Sequence, residues 1–241
     1  MSGSETQNVF LCRNNTHRSA ADSVRFDAQD PSISRRSVAS GEHAYRTVCI
    51  GEGRRLITTN DAHMLIEAGY AAHYGVSNVE LSDLQAWLAA ANRLGLPPPL
   101  LVENEYNLLR RDDETTVLPL CAEREIGYLA YSPLAAGVLT GKYRPGEAPP
   151  VGSQPALRPE LNDHLLHSAT FAEVDRLAAY AAARAMSTAA ISLAWVAAQP
   201  HVGTIVGISR PQQLDAAEQT LARPLFLEKA SEVADLFRDP Q

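Results

Sequence analysis

The sequence predicts an α/β fold in which a parallel sheet is covered by helices. Three observations carry that expectation. From residue 61 onward, short apolar runs alternate with longer stretches of helical periodicity. Glycine and proline punctuate the junctions between them. Four such strands occur within about 170 residues, which by spacing is half of a (β/α)8 barrel. Residues 1–60 read as a separate, irregular α/β segment ahead of a unit spanning 61–241.

Each element has its own reason. NVFLC reads as a strand, THRSAADSVRFDA as a helix, and SRRSVAS, YRTVCIG and RRLITT as short strands interrupted by glycine and serine. DAHMLIEAG (61–69) is a helix closed by Gly69, and AHYGVSN (72–78) is a buried strand with a polar end. In LSDLQAWLAAANRLG (81–95), Leu84, Leu88 and Ala91 fall on one helical face, and Gly95 followed by Pro97 stops the helix. LLVENEYN (100–107) is a strand, TTVLPLCAEREIG (115–127) a helix and YLAYSPL (128–134) a strand. A loop rich in proline and glycine occupies roughly 141–162. Helices follow at 169–185 and 188–199, a strand at 202–208 and a helix at 211–222. LEKASEVADLF ends the pattern as an amphipathic helix.

Composition narrows the function classes. The apolar fraction of 45 % supports a core, and a net charge of −7 argues against a general nucleic-acid backbone binder. No run of 18 apolar residues suggests a membrane span. MSGSETQN lacks the basic and apolar regions of a signal peptide, and three scattered cysteines do not make a disulfide framework. A cytoplasmic protein is expected. Of 21 basic residues only Lys142 and Lys229 are lysines.

YGVSN (74–78), ENEYNLLRR (103–111), IGYLAYSPLAAGVLTGKY (126–143), ISLAWVAAQP (191–200) and TIVGISRPQQLDAA (204–217) together resemble the aldo/keto reductases, in that family's order and near its spacings. The resemblance covers about residues 61–235. It implies the C-terminal half of a (β/α)8 barrel and an oxidoreductase that uses NADPH on a small-molecule carbonyl.

By the same resemblance, Ser77 and Asn78 hold the nicotinamide amide, since each can exchange hydrogen bonds with a carboxamide. Glu103 stands beside them, where the family commonly has glutamine, which both donates and accepts. Tyr131 stacks on the nicotinamide face. Ser132 and Leu134 lie along the pyrophosphate. Ser209, Arg210 and Gln213, where a strand meets a helix N-terminus, suit the 2′-phosphate. Blander readings stand beside these: Ser77 and Asn78 as a helix cap, Tyr131 as a half-buried core ring, and Arg210 as a solvated charge. Ala216 and Ala217 replace a Glu–Asn pair that reaches the adenine in family members, so adenosine contacts are expected to be lost.

The family's reaction uses an Asp/Tyr/Lys/His tetrad upstream of the strand matching AHYGVSN. No lysine precedes Lys142 here. YRTVCIG resembles a degraded fourth strand in which Gly51 takes the place of the histidine, and Tyr45 has no lysine to tune it. The expectation is an impaired or inactive reductase, or a non-catalytic binding protein. An open half barrel further suggests a homodimer or an irregular open sheet. A second resemblance sits upstream. LCRNNTHRS fits the C-x5-R-S loop of low-molecular-weight tyrosine phosphatases and arsenate reductases. In that reading Cys12 is the nucleophile and Arg18 grips the oxyanion.

Overall fold

In the structure, a computed structural model in which residues 9–13, 47–50, 59–67 and 73–238 are described, six parallel strands form one sheet. They are β1 (Val9–Arg13), β2 (Thr47–Ile50), β3 (His73–Ser77), β4 (Leu101–Glu105), β5 (Gly127–Tyr131) and β6 (Val202–Ile208). Their spatial order is β1-β6-β5-β4-β3-β2. The four strands expected after residue 61 are all present, and β1 and β2 flank them as the two edges. β2 lies parallel to β3, with Thr47 opposite His73 and Ile50 opposite Val76. This is the place expected of YRTVCIG beside the AHYGVSN strand. β1 arises from NVFLC and pairs with β6. The expected helix in THRSAADSVRFDA, the SRRSVAS strand and all of RRLITT but Thr59 lie outside the described residues.

The helices are α1 (Thr59–Glu67), α2 (Leu81–Leu94), α3 (Val117–Glu123), α4 (Gln154–Leu157), α5 (Pro159–Asn162), α6 (Ser168–Ala182), α7 (Thr188–Ala197), α8 (Leu214–Ala222) and α9 (Leu227–Asp235). α2 ends as its sequence requires. Gly95 takes φ 68° and donates to Ala91 and Asn92, a conformation that costs glycine no Cβ clash. Two helices begin on side-chain caps: the imidazole of His167 accepts from Thr170 N, and the Ser187 hydroxyl accepts from Ala190 N. α3 is shorter than the expected 115–127. A 3-10 turn takes residues 112–115, and Glu125, at φ 55°, turns the chain toward β5. β4 stops at Glu105 rather than 107. There the Asn107 side-chain oxygen accepts from the backbone N–H of Leu109 and Arg110 and folds an Asx turn.

Among the described residues, one face of β4 is more closely covered than the other. On β4, Val102 and Asn104 are buried, while Leu101, Glu103 and Glu105 are only partly covered. Helices supply the cover on the packed face. Residues 190–197 of α7 are all buried, which explains why that stretch is apolar on every side. Trp195 stacks on Tyr106 with ring centroids 5.2 Å apart, and the Arg111 guanidinium lies 5.4 Å from the Trp195 ring. Arg111 also makes a two-pronged ion pair with Glu114 at 2.8 and 2.9 Å, and Glu114 accepts from the Tyr106 hydroxyl.

A second polar group inside this layer fixes the ends of the central strands. Asn104 Oδ1 accepts from Val79 N at 3.0 Å, and its Nδ2 donates to Val79 O at 2.8 Å. The amide thereby serves Val79 as a neighbouring strand would. Nδ2 also donates to Asp113 at 2.8 Å, and Asp113 accepts from the Tyr128 hydroxyl at 2.6 Å. Burial, the Asp113 hydrogen bond and its charge all hold the Tyr128 phenol far above its usual range.

Two outcomes follow from this packing. Asn104→Ala leaves Val79 and Asp113 without their partner, at roughly 2 kcal/mol. The melting temperature should fall by several degrees, with faster amide exchange at Val79; an unchanged melt with Val79 equally protected would contradict the clamp. The second concerns alkali. Burial pushes the Cys121 thiol up from 9.0 to about 12 and the Tyr74 phenol from 10.0 to about 12. Both groups ionise more easily unfolded, so their contribution is complete below about pH 9 and is lost as the pH rises toward 12. A melting temperature that stays level from pH 8 to pH 11 would refute this.

Candidate functional site

The carboxyl ends of β3, β4 and β5 build one edge. In register, Ser77 lies opposite Glu103 and Glu103 opposite Leu129; one row further, Glu105 lies opposite Tyr131. Side chains alternate along strands, so Ser77, Glu103, Glu105 and Tyr131 share the face turned away from the Val102–Asn104 side. Asn78 follows β3 in the left-handed region at φ 54°, which asparagine tolerates better than most residues, and its N–H donates to Glu103 O. Its Oδ1 accepts from the Tyr131 hydroxyl at 2.6 Å. Two residues 53 positions apart in sequence therefore meet at the site. That bond occupies the asparagine oxygen and leaves its Nδ2 donors for another acceptor.

An open cleft of about 840 Å3 adjoins this edge, with Asn78, Asn104, Glu105, Arg110 and Tyr131 in its wall. Glu105 is charge-balanced there by Arg110 at 3.1 Å. The Glu103 carboxylate is partly buried and has neither an ion pair nor a side-chain hydrogen bond among the described residues.

The loop after β5 turns sharply. Ser132, Ala135, Ala136 and Gly137 all have positive φ, and Leu134 precedes a 3-10 segment, Ala135–Thr140. Asn107 Nδ2 donates to Ser132 O at 3.1 Å and ties this loop to the end of β4. Ser132 and Leu134 are partly exposed beside the edge.

A second group lies at the end of β6. Gln213 Oε1 accepts from Ser209 N at 2.7 Å, Arg210 N at 3.0 Å and Ser209 Oγ at 3.2 Å. The Gln213 oxygen is thus spent on holding the turn that precedes α8, a role its expected phosphate contact did not include. The Arg210 guanidinium is exposed and has no ion pair among the described residues. Gly207, just ahead, leaves open space: a Cβ there would meet nothing within 4 Å. Ala217 packs in the core and Ala216 is partly covered, so this pair offers no polar contact to an adenine.

These features fit a dinucleotide. Ser77 and Asn78, the Tyr131 ring, Gly207 in β6 and Arg210 beyond it all lie at or near the carboxyl ends of parallel strands. Cys12 lies in β1 opposite Gly207, two residues before Ser209 along the neighbouring strand. Arg18 lies outside the described residues, as do Tyr45 and Gly51. Asn104, Asn107 and Asp113 were not anticipated from sequence. The available signal was a polar residue, Asn104, at the buried position of an alternating strand. Among the described residues no set of three His, Cys, Asp or Glu converges on a metal position, and no helix is long and apolar enough to cross a membrane.

The chain is similar to several known proteins. The chain is 33 % identical over 186 residues to a probable voltage-gated potassium channel subunit beta from Arabidopsis thaliana, covering 73 % of this chain and 56 % of that protein. It is 31 % identical over 170 residues to protein tas of Escherichia coli, covering 69 % and 46 %. The chain thus spans about half the length of the curated relatives it matches. A glycerol dehydrogenase structure from Gluconobacter oxydans superposes with a TM-score of 0.63 at 22 % identity, covering 81 % of this chain and 61 % of that one, and so shares the fold. The sequence model of the aldo/keto reductase family matches residues 13–236. The match includes Arg18 but begins one residue after Cys12, and nothing in these comparisons supports the phosphatase reading of those two residues. The chain belongs to the aldo/keto reductase family of oxidoreductases.

Proposed function

We propose that this chain binds NADP(H) along the carboxyl edge of its sheet and turns carbonyl substrates over poorly or not at all. The observation that carries the first part is the meeting of Asn78 and Tyr131 beside Ser77. In this reading the Ser77 hydroxyl and Asn78 Nδ2 hold the nicotinamide amide. The Tyr131 ring, held in place by its own bond to Asn78, flanks the nicotinamide face. The Arg210 guanidinium meets the 2′-phosphate, with Gln213 fixing the turn from which it reaches. When bound, the cofactor supplies the hydride of the family's reaction.

The second part rests on the sequence. Reduction of a carbonyl needs a proton donor matched to neutral pH. A tyrosine serves when a neighbouring lysine lowers its pKa, and no lysine precedes Lys142 in this chain. Among the described residues, burial holds the phenols of Tyr74, Tyr106, Tyr128 and Tyr180 above their ordinary value, which is the wrong direction for such a donor. A dinucleotide-binding protein without turnover accommodates these facts. Relatives are named both as reductases and as channel subunits, so the reading does not depend on catalysis.

Titration of the full chain with NADPH, followed by cofactor fluorescence, should saturate below millimolar concentration; no change up to millimolar would end the proposal. Arg210→Ala should weaken NADPH by about tenfold, as expected for loss of one charge-assisted contact, and leave NADH nearly unaffected. Equal losses for the two cofactors would remove Arg210 from the phosphate site.

A further inference from the structure

The part of the edge that the proposed function leaves unexplained is Glu103. The structure places a carboxylate between Ser77 and Leu129, on the same face as Tyr131. The neighbouring acid, Glu105, is paired with Arg110 at 3.1 Å, and its charge is largely offset. Glu103 has no such partner among the described residues. Because β4 alternates, its side chain cannot retreat to the Val102–Asn104 face without displacing the Asn104 clamp. A partly buried, unbalanced negative charge therefore stands next to the residues proposed to hold the nicotinamide amide.

We infer that Glu103 makes this site select the oxidised cofactor, NADP+, over NADPH. The inference rests on the cofactor reading above. The two forms share their phosphates, riboses and adenine, and their carboxamides can donate equally to a carboxylate. They differ in the ring, which carries a positive charge when oxidised and none when reduced. A carboxylate close to that charge, in surroundings between protein and water, would favour the oxidised form by roughly tenfold. The Arg210 end of the site meets the same phosphate in both forms and contributes nothing to the difference. The chain would accordingly act as a holder of oxidised dinucleotide.

The test is isothermal titration of the full chain with NADP+ and, separately, with NADPH, in wild type, Glu103→Gln and Glu105→Gln. The expected result is about tenfold tighter binding of NADP+ by wild type, a ratio near one in Glu103→Gln, and a ratio close to wild type in Glu105→Gln. Thermal melts of the variants verify that each is folded. A wild-type preference for NADPH, or a ratio that Glu103→Gln leaves unchanged, overturns the inference while the cofactor site stands. Failure of both forms to bind any of the three proteins overturns the cofactor reading itself, and this inference with it.

Discussion

The arrangement of the site depends on one buried amide. Asn104 faces the packed side of the sheet, where alternation would place an apolar residue, and gives both its polar atoms to the backbone of Val79. That contact fixes the chain immediately after Asn78, whose left-handed conformation turns β3 out of the sheet. Asp113 completes the amide's bonding and in turn receives the Tyr128 hydroxyl from β5. The ends of β3 and β4 and the Tyr128 side chain of β5 are thus joined by a single polar cluster. The residues on the opposite face, Ser77, Glu103 and Tyr131, inherit their relative positions from it. Buried polar groups are costly unless fully paired, so such a cluster tolerates few alternative arrangements.

Much of the architecture was legible in the sequence. Leu84, Leu88 and Ala91 announced α2, and Gly95 its end. The runs at 72–78, 100–107 and 128–134 marked strands that the structure contains as β3, β4 and β5 with shifted ends. Boundaries were less legible where side chains compete with the backbone for hydrogen bonds. Asn107 ends β4 early by building its own turn, and Thr116 bonds back to Asp112 where a longer helix was expected.

The site was legible in its identities more than its roles. Asn78 and Tyr131 meet, with Ser77 one residue before Asn78 at the end of β3. Gln213 sits where expected but spends its oxygen on the Ser209–Arg210 turn. Periodicity shows that a position is buried and says nothing about which long-range partner will satisfy a polar group there. This is why Asn104 and Asp113, nine residues apart, escaped the sequence reading. Composition was informative in one further respect: a chain whose first lysine is Lys142 has no residue of that type to tune a tyrosine in its first 141 positions.

The central claim is that one edge of the sheet, from Ser77 across Tyr131 to Arg210, still forms a dinucleotide site although this chain spans about half the length of its relatives. Hydrogen–deuterium exchange with and without saturating NADP+ tests it most directly, because it reports where the cofactor lies rather than whether something binds. The account predicts slowed exchange at residues 77–79 and 209–213 together, with little change in the buried helix α7. Protection confined to one of the two segments, or none at either, would contradict it.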